Sequence, residues 1–490
     1  MPKELKHIIS GVPFKITGNK DVLINRILFD SRFIQPGDLF VAVRGTRVDG
    51  HNFIGNAISG GAVAIVCEHN PGLHDSDIVI IEVDDSAAAL GIFAANFYDN
   101  PSQEVKLTGV TGTNGKTSIV TLLYRLFTEF GIKAGLISTV RNLIAGKERQ
   151  ATHTTPDAIA LQEMIREMRD QGCTHVFMEV SSHAIDQKRI AGLEFDMAVF
   201  TNLTHDHLDY HQNFDNYLQT KKQLFDGLSE KSVALMNADD KHGQVMVQNT
   251  AATIKTFGIR SMADYKAKII ESHFDGMLIS IDNTEVWTKI IGEFNASNLL
   301  AVYAAARLLG LEKDDILRVI STLNTVEGRF EYLRSNTGIT AIIDYAHTPD
   351  ALKNVISTIN QIRSEKGKLI TVVGAGGNRD KTKRPVMGKI ASENSTRVIF
   401  TSDNPRDEDP DEIIQQLLSG VDFNHRNIVL AITDRREAIR TACMLAQEGD
   451  VVLIAGKGHE NYQEIKGERS YFSDKQVVSE IFMMNKINLQ

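Results

Sequence analysis

Apolar residues along the chain form short β-type runs that alternate with segments of helical spacing. Residues 105–110 are apolar and rich in β-branched side chains, which predicts a buried strand. Apolar side chains then recur at helical intervals from Ile119 to Phe130, and Gly131 is a suitable stop signal. Because similar runs alternate along the rest of the chain, the pattern predicts an α/β protein.

Breaks in this pattern divide the chain into three predicted domains. Residues 1–103 form a small α/β unit that ends in a polar turn, and residues 104–331 form a central unit with a mostly parallel sheet. Residues 332–490 alternate most regularly, which predicts a Rossmann-like, doubly wound domain. A chain of 490 residues also agrees with about three domains of roughly 150 residues each.

The segment between the strand at 105–110 and the following helix predicts a phosphate-binding loop. Backbone N–H groups of such a loop face an anion, a lysine neutralises phosphate oxygens, and a hydroxyl can hold Mg²⁺. The usual pattern has glycine at position 110, where this chain has Val110, so an ordinary strand-to-helix turn is the alternative. The loop residues are Gly112, Thr113, Asn114, Gly115, Lys116, Thr117 and Ser118.

Further polar residues follow predicted strands of the central unit. Glu179 ends the strand at 174–180, where a carboxylate is well placed to reach Mg²⁺. Residues 204–211 (THDHLDYH) are too rich in His and Asp for an ordinary turn, although a solvated loop is the alternative. Lys221 and Lys222 share a predicted helix, and such a pair usually marks a solvated face.

Composition excludes several classes of function. The net charge of −9 and the lack of a basic stripe argue against nucleic-acid binding. No run of about eighteen apolar residues predicts a membrane span, and the N-terminus lacks a secretory signal. The three cysteines lie far apart in apolar segments and are predicted to be reduced core residues. These features together predict a cytoplasmic protein.

Ten motifs occur in an order that resembles the Mur ligase family, the ATP-dependent amide ligases that build the peptide stem of peptidoglycan. The resemblance extends from Asp30 to near the C-terminus. It implies an ATP-dependent ligase that adds meso-2,6-diaminopimelate to UDP-MurNAc-L-Ala-D-Glu through an acyl phosphate, and we expect a monomer. The motifs are GTNGKTS, TTPD, MEVSSHAIDQKR, NLTHDHLDYH, GEFNASN, EGR, DYAHTPD, GNRDKTKRP, DNPR and GKGHE.

The resemblance also implies roles for individual residues. Lys116, Glu179, His207 and Lys221 would be catalytic, and Thr117, Glu179, His207 and Lys221 would hold Mg²⁺, with Lys221 converted by CO₂ into a carbamate. Besides the phosphate loop, the nucleotide would contact Asn295, Arg329 and Asp344. The UDP-sugar dipeptide would contact Ser31, Thr46, Arg47, Val48, His153, Thr154, Thr155, Ser181, Gln187 and Arg189. Diaminopimelate would contact Arg379, Asp403, Asn404, Pro405, Arg406, Gly456 and Glu460.

Four alternatives remain at this point. An L-lysine-adding version of the same ligase is the nearest one, and Arg406 disfavours it because its planar fork suits the extra carboxylate of diaminopimelate. Folylpolyglutamate synthetase has a related fold, but the DNPR and DSR segments argue against it. A binuclear metal hydrolase would use the 205–209 cluster, yet it leaves the phosphate loop unexplained. A nucleotide-dependent switch would bind ATP without ligation.

Overall fold

The computed structural model describes residues 2–45, 48–70, 72, 77–149 and 153–487. Within these ranges the chain forms three main sheets and two small antiparallel pairs. The α/β class predicted from the alternation of apolar runs is confirmed. The predicted substrate residues Thr46 and Arg47 lie outside the described ranges.

The first unit is built on a five-stranded sheet. In sheet order its strands are Lys15–Thr17, Val79–Glu82, Ala64–Cys67, Leu39–Val41 and Ile27–Leu28. A small pair of strands, Lys3–Glu4 and Leu23–Ile24, lies beside it. The helices are Leu5–Ile8, Ile54–Ser59 and Ser86–Phe97, with 3-10 turns at Ser31–Phe33, Gly50–Phe53 and Pro101–Gln103. Ala158 of the central unit is part of this unit's core, so the two units share apolar packing.

The central unit contains an 11-stranded sheet with apolar clusters on both faces. Its middle strands are parallel and its two ends are antiparallel. In sheet order the strands are Lys147–Arg149, Asn142–Ile144, Ala134–Ile137, His175–Glu179, Lys106–Thr111, Met197–Phe200, Val233–Asn237, Thr253–Gly258, Tyr265–His273, Gly276–Ile281 and Thr284–Thr288.

Helices cover both faces of this central sheet. Lys116–Glu129 and Glu293–Leu308 pack on one face, and Ala158–Asp170 and Phe214–Asp226 pack on the other. The other helices are Ser182–Asp186, Leu208–His211, Gly243–Met246 and Lys313–Ile320. Because both faces are covered, most of the parallel strands are mainly apolar and appear in the sequence as apolar runs, whereas the parallel strand Thr253–Gly258 begins with exposed residues.

The third unit has a six-stranded sheet with helices on both faces, which is the predicted doubly wound arrangement. In sheet order its strands are Glu331–Arg334, Thr340–Asp344, Val451–Ala455, Leu369–Val373, Arg397–Phe400 and Val429–Ala431. A hairpin is formed by Tyr462–Ile465 and Glu468–Tyr471. The helices are Pro349–Ile362, Lys383–Asn394, Pro410–Leu418, Arg435–Leu445 and Asp474–Ile487, with a 3-10 segment at Phe423–Ile428.

Two predictions about the whole chain can be checked directly. Cys67, Cys173 and Cys443 are buried free thiols, as their apolar surroundings predicted. Within the described ranges, no helix has the length and apolar character needed to cross a membrane.

Candidate active site

The predicted phosphate loop connects the strand Lys106–Thr111 to the helix Lys116–Glu129. Gly112 has a φ of +149°, and a Cβ there would lie 1.8 Å from Oγ1 of Thr201. Gly115 has a φ of +90° in the left-handed region. Both positions therefore need glycine, which explains the spacing of the GTNG segment.

Two residues at the end of a neighbouring strand hold this loop. The backbone N–H of Asn114 donates to Oδ1 of Asn202 at 2.9 Å, and Oγ1 of Thr201 donates to the Asn114 carbonyl at 2.6 Å. The backbone N–H of Thr113 donates to the Asn202 carbonyl. We did not predict roles for Thr201 and Asn202. Their position after a buried strand, at the start of the NLTHDH motif, was the available signal.

Two lysines from different helices meet at one carbonyl oxygen of the loop. Nζ of Lys116 donates to the Gly112 carbonyl at 2.8 Å, and Nζ of Lys221 donates to the same oxygen at 3.0 Å. Lys221 is 1% exposed. Its pKa is well below its ordinary value, chiefly because of burial and then because of the charge of Lys116. Two amino groups therefore meet at the loop, and burial favours the neutral form of Lys221.

The ordinary interpretation of the lysine pair as a solvated face is wrong. Lys222 is also buried, and its Nζ lies 2.5 Å from Oδ1 of Asp226. The helix Phe214–Asp226 packs both lysines inward because Leu224 and Phe225 bury the same turn. Lys222 has a carboxylate partner, whereas Lys221 points at the loop.

Several predicted metal residues surround the loop. Glu179 is buried, and its carboxylate accepts from the backbone N–H of Thr139 at 2.8 Å. Its charge also acts on Lys116. Oγ1 of Thr117 accepts from Nη2 of Arg329 at 3.0 Å. Burial lowers the pKa of His207 to about 3, so its ring is neutral at pH 7 and able to act as a ligand.

This donor set fits Mg²⁺ better than a tightly chelated metal. Mg²⁺ is usually held by one or two carboxylates together with waters and substrate phosphates, and Glu179 beside the Thr117 hydroxyl is such a set. Among the described residues, no group of three or more His, Cys, Asp or Glu side chains has metal-binding geometry. A binuclear hydrolase needs such a group, so the structure gives that alternative no support.

The His- and Asp-rich loop at 204–211 connects the central and third units. Nε2 of His205 lies 2.9 Å from Oδ2 of Asp380, and Oδ1 of Asp206 lies 4.0 Å from Nζ of Lys383. Burial would raise the pKa of Asp206, but His207 and Lys383 hold it below its ordinary value. The loop is therefore a domain contact as well as a source of candidate ligands.

The remaining residues of that loop have packing roles. The ring of His211 lies 5.2 Å from that of Tyr217, and its Nε2 is 2.9 Å from Oγ of Ser182. Oη of Tyr210 donates to Asp186 at 2.6 Å. Local packing thus accounts for part of the high content of His and Asp in this loop.

Three residues predicted to contact the nucleotide lie near the junction of the central and third units. Nδ2 of Asn295 donates to the Ile291 carbonyl, and Asn298 donates to Oδ1 of Asn295. The guanidinium of Arg329 lies 4.6 Å from the ring centre of Tyr345. Asp344 is buried and accepts from the Phe330 N–H. Burial raises the pKa of Asp344 to about 6, against the charge of Arg329.

The central-unit residues predicted to contact the UDP-sugar dipeptide form one hydrogen-bonded group. Oγ1 of Thr155 donates to the Glu179 carbonyl at 2.9 Å and lies 3.4 Å from Oγ of Ser181. Arg189 donates to the Thr155 carbonyl and to Oε1 of Gln187. This cluster is attached to the end of the strand His175–Glu179, because the Glu179 carbonyl accepts from Thr155.

Other predicted substrate residues lie around this cluster. Thr154 accepts from Oγ1 of Thr139 at 3.0 Å, and His153 is exposed at the start of the same segment. Ser31 begins a 3-10 turn capped by Asp30, and Val48 is 57% exposed. Both belong to the first unit, and among the described residues no hydrogen bond connects them to the Thr155 group.

The residues predicted to contact diaminopimelate converge at the carboxyl ends of strands in the third unit. Nδ2 of Asn404 donates to Oε2 of Glu460 at 2.8 Å, and the Tyr345 hydroxyl donates to Oε1 of Glu460 at 3.3 Å. Nη1 of Arg406 donates to the Gly377 carbonyl at 2.7 Å. Pro405 precedes Arg406, which has a φ of +52°.

A close backbone approach shapes the floor of this group. A Cβ on Gly456 would lie 2.4 Å from Oδ2 of Asp403, so only glycine lets the two loops meet. Arg379 is exposed, and its Cγ lies near Gly376, beside Nη1 of Arg406. The two arginines therefore lie on one side of the group.

Two buried cations of the third unit were not predicted. Arg384 is fully buried and donates to Glu408, Gln416 and the Gly376 carbonyl, so it fixes the glycine loop. Lys457 is also fully buried, within the GKGHE motif. Both occur in motifs that the sequence analysis quoted without assigning them roles.

Comparison with known proteins agrees with this geometry. The profile described as "Mur ligase middle domain" matches residues 110–306. Those described as "Mur ligase, glutamate ligase domain" and "Mur ligase family, catalytic domain" match residues 328–458 and 23–98. The matched regions include the phosphate loop and the loops at the carboxyl ends of the third sheet.

Full-length relatives share this organisation. A UDP-N-acetylmuramoyl-L-alanyl-D-glutamate–2,6-diaminopimelate ligase of Bacteroides fragilis is 54% identical, covering 98% of this chain and 99% of the relative. A ligase of the same name from Bacteroides thetaiotaomicron is 55% identical over 96% and 98% of the two chains. A solved structure of a ligase of that name has a TM-score of 0.69 at 31% identity, covering 99% of this chain and 100% of that chain.

The fold and the loop thus define a three-unit α/β protein whose glycine loop lies at the junction of its second and third units. The chain belongs to the Mur ligase family.

Proposed function

We propose that the protein is an ATP-dependent ligase that joins meso-2,6-diaminopimelate to UDP-MurNAc-L-Ala-D-Glu. The observation that carries this proposal is the meeting of Lys116 and Lys221 at the Gly112 carbonyl, with Arg329 close by at Thr117. The ammonium of Lys116 and the guanidinium of Arg329 would favour the approach of two anions, a substrate carboxylate and the terminal phosphate of ATP, and Lys221 would supply a metal ligand beside them. The names of the relatives that are 52–55% identical over nearly the whole chain support the choice of substrates.

The proposed reaction has two steps. An oxygen of the substrate carboxylate attacks the γ-phosphorus of ATP, the bond to ADP breaks, and an acyl phosphate forms. The amine of the incoming amino acid then attacks the acyl carbon, loses a proton, and releases inorganic phosphate. Lys116 and the N–H groups of residues 115–118 would hold the phosphates throughout, because Thr201 and Asn202 fix the loop and take up the N–H groups of Thr113 and Asn114.

Mg²⁺ would neutralise charge on the transferred phosphate and orient it. Thr117 and Glu179 would hold one ion, and His207 with Lys221 would hold a second. An ammonium cannot bind a cation, so Lys221 would act as the carbamate that its amine forms with CO₂. The lowered pKa of the buried Lys221 supports this step, because only the neutral amine attacks CO₂.

The nucleotide would lie across the junction between the central and third units. Asn295, Arg329 and Asp344 are its proposed contacts, and Arg329 reaches the phosphate loop through the Thr117 hydroxyl. We also propose that the borders between the three domains lie near residues 103 and 331. The contacts His205–Asp380 and Asn114–Asp350 already join the central and third units, and they would hold the two domains together around ATP.

The UDP-sugar dipeptide would bind along the first two units. The proposed contacts are Ser31, Thr46, Arg47, Val48, His153, Thr154, Thr155, Ser181, Gln187 and Arg189. Arg189 would pair with a substrate carboxylate through its planar fork. The continuity of Thr155 with Glu179 supports this direction of approach, because it brings the dipeptide's end to the phosphate loop.

Diaminopimelate would be recognised in the third unit by opposite charges. Arg406, with Arg379, would bind the carboxylate at the far end of the amino acid, and Glu460 would face the ammonium beside it. Asp403, Asn404, Pro405 and Gly456 would shape the rest of the pocket. The protein would act in the cytoplasm as a monomer.

The test is phosphate release with purified protein, ATP, Mg²⁺ and UDP-MurNAc-L-Ala-D-Glu. Release should require an amino acid and should be far faster with meso-diaminopimelate than with L-lysine. Oxygen-18 placed in the dipeptide carboxylate should appear in the released phosphate, as the acyl phosphate requires. Phosphate release with L-lysine but not with meso-diaminopimelate would contradict the substrate assignment. Product formation without ATP would contradict the assignment as an ATP-dependent ligase.

A further inference from the structure

We propose that Lys457 is a positioning residue that sets the charge of the amino-acid pocket to match the zwitterionic far end of the substrate. This inference rests on the proposed function and extends it, since Lys457 is not among the proposed substrate contacts. It stands on three observations: complete burial, contacts with the pocket residues, and the local balance of charges.

The contacts of Lys457 are with the groups that would hold the substrate. Its Nζ donates to Oδ1 of Asn404 at 3.0 Å and lies 3.4 Å from Oε2 of Glu460. It also lies 4.0 Å from Oδ1 of Asp403 and 5.5 Å from the ring centre of Tyr462. Asn404 itself donates to Glu460, so the ammonium, the amide and the carboxylate form a closed triangle.

Complete burial makes this arrangement rigid. The Lys457 side chain is 0% exposed, and those of Asp403 and Glu460 are 9% and 16% exposed. An ammonium at such a depth is retained only where carboxylates or amides surround it. Lys457 therefore orients Asn404 and Glu460 without being available to bind the substrate directly.

Arg379 is exposed and its charge is screened by water, so the enclosed charges of the pocket are those of Asp403, Glu460, Lys457 and Arg406, which sum to zero. Arg435 also lies within electrostatic range of Asp403 and Glu460, but it is paired with Asp474, and both side chains are 0% exposed. Lys457 thus offsets one of the two carboxylates Asp403 and Glu460. The other carboxylate would face the ammonium of the substrate, and Arg406 would face the carboxylate of the substrate.

The same charges act on the pKa of Glu460. Burial and then the charge of Asp403 raise its pKa, whereas Lys457 and Asn404 act in the opposite direction. Tyr345 and Tyr462 are the neutral neighbours on the same side. Without Lys457, two carboxylates would share the pocket with no buried counter-charge between them.

This balance suits diaminopimelate better than lysine. The far end of meso-diaminopimelate carries an ammonium and a carboxylate, so its net charge is zero, whereas the far end of L-lysine carries an ammonium alone. Removing Lys457 makes the pocket more negative by one charge. The change should weaken the binding of diaminopimelate, whose far end is a zwitterion, relative to the binding of L-lysine, whose far end is a cation.

The experiment compares Lys457→Met with wild type in the phosphate-release assay, with both amino acids. We expect the KM for diaminopimelate to rise about tenfold or more, because a buried charge network loses its cation. The KM values for ATP and for the UDP-sugar dipeptide should change less than about twofold. The diaminopimelate-to-lysine ratio of kcat/KM should fall about tenfold or more.

Lys457→Gln is the second variant, because it keeps a hydrogen-bond donor and removes only the charge. Lys389→Met is the matched control, since Lys389 is exposed and paired with Glu393 on an outer helix. Thermal melting identifies the variants that fold. Wild-type turnover tests the ligase separately, because it does not depend on Lys457. A folded variant with unchanged KM for diaminopimelate, or with equal losses on both amino acids, would overturn the role of Lys457.

Discussion

Lys221 and Lys457 are both buried lysines, but they lie in regions with different charge balance. Nζ of Lys221 faces the Gly112 carbonyl and the Thr111 hydroxyl, and the nearby Lys116 adds a like charge. Nζ of Lys457 faces an amide oxygen and the carboxylates of Glu460 and Asp403. Among its described contacts Lys221 therefore has no carboxylate, whereas Lys457 has two.

The difference follows from what each region would bind. A site for a polyanion can hold ammonium groups without internal partners, because the phosphates supply the opposite charge when they bind. A site for a zwitterion has to carry both signs in fixed positions, since any surplus would attract the wrong ligand. The predictions below test this contrast.

The largest effect is expected at Lys116. Lys116→Ala removes the ammonium that lies over the loop, and turnover should fall by about 10³-fold or more, as is typical when charge stabilisation of a transferred phosphate is lost. Phosphate release under saturating substrates measures it. Lys222→Met is the matched control, because Lys222 is a buried lysine whose partner is Asp226. A loss of less than tenfold for Lys116→Ala would mean that the loop does not hold the reacting phosphates.

The second prediction concerns the carbamate of Lys221. Wild-type protein kept free of CO₂ should lose most of its activity and regain it with bicarbonate, whereas Lys221→Ala should be inactive in both conditions. Because burial lowers the pKa of Lys221, a larger share of this side chain is the neutral amine than in an exposed lysine, and reactivation should slow as the pH falls and protonation increases. The measurement is the rate of reactivation between pH 6 and pH 8. Full activity without CO₂ would contradict the carbamate, and Lys221 would then act as an ammonium, as Lys116 does.

Sequence alone predicted the parts of both regions that depend on local pattern. The phosphate loop is a strand, glycines and a helix in direct succession, so its geometry follows from a few neighbouring residues. The α/β class and the doubly wound third unit follow from apolar runs that are buried on both faces.

The rest depends on contacts between distant segments. The burial of Lys221 and Lys457 could not be predicted, because each ammonium is enclosed by loops far away in the sequence. The bridges His205–Asp380 and Asp206–Lys383 likewise depend on how two units pack. The antiparallel edge strand Glu331–Arg334 and the hairpin beginning at Tyr462 were missed because their mixed, partly exposed pattern is typical of loops.

The third prediction sharpens the contrast from the side of the amino-acid pocket. Arg406→Lys keeps the charge but replaces a planar fork with a point charge, so the KM for diaminopimelate should rise about tenfold, equivalent to roughly 1.4 kcal/mol. Turnover at saturation and the KM for ATP should change little. Steady-state kinetics with each substrate varied in turn measures this. An unchanged KM for diaminopimelate would remove Arg406 from the pocket.

The smallest effect on activity is expected at Asp344, a buried carboxylate at the junction of the central and third units. Its pKa is raised from 3.8 to about 6 by burial, so the folded protein binds a proton more tightly than the unfolded chain does. Ionised Asp344 therefore costs stability, and this cost is absent below about pH 4, grows as the pH rises through 6, and reaches roughly 3 kcal/mol at most above pH 7.

Asp344→Asn should remove this cost, because an amide oxygen can still accept from the Phe330 N–H and carries no charge. The variant should melt at a higher temperature than wild type at pH 8, and the difference should shrink toward pH 5. The loss of a partner for Arg329 will reduce the gain, and the KM for ATP should rise a few-fold if the carboxylate contacts the nucleotide. Thermal melting across pH, with ATP kinetics at pH 8, separates the two effects. A melting difference that stays constant from pH 5 to pH 8 would show that Asp344 does not titrate in this range. Asp344 would then add no pH-dependent charge at the junction where ATP is proposed to bind.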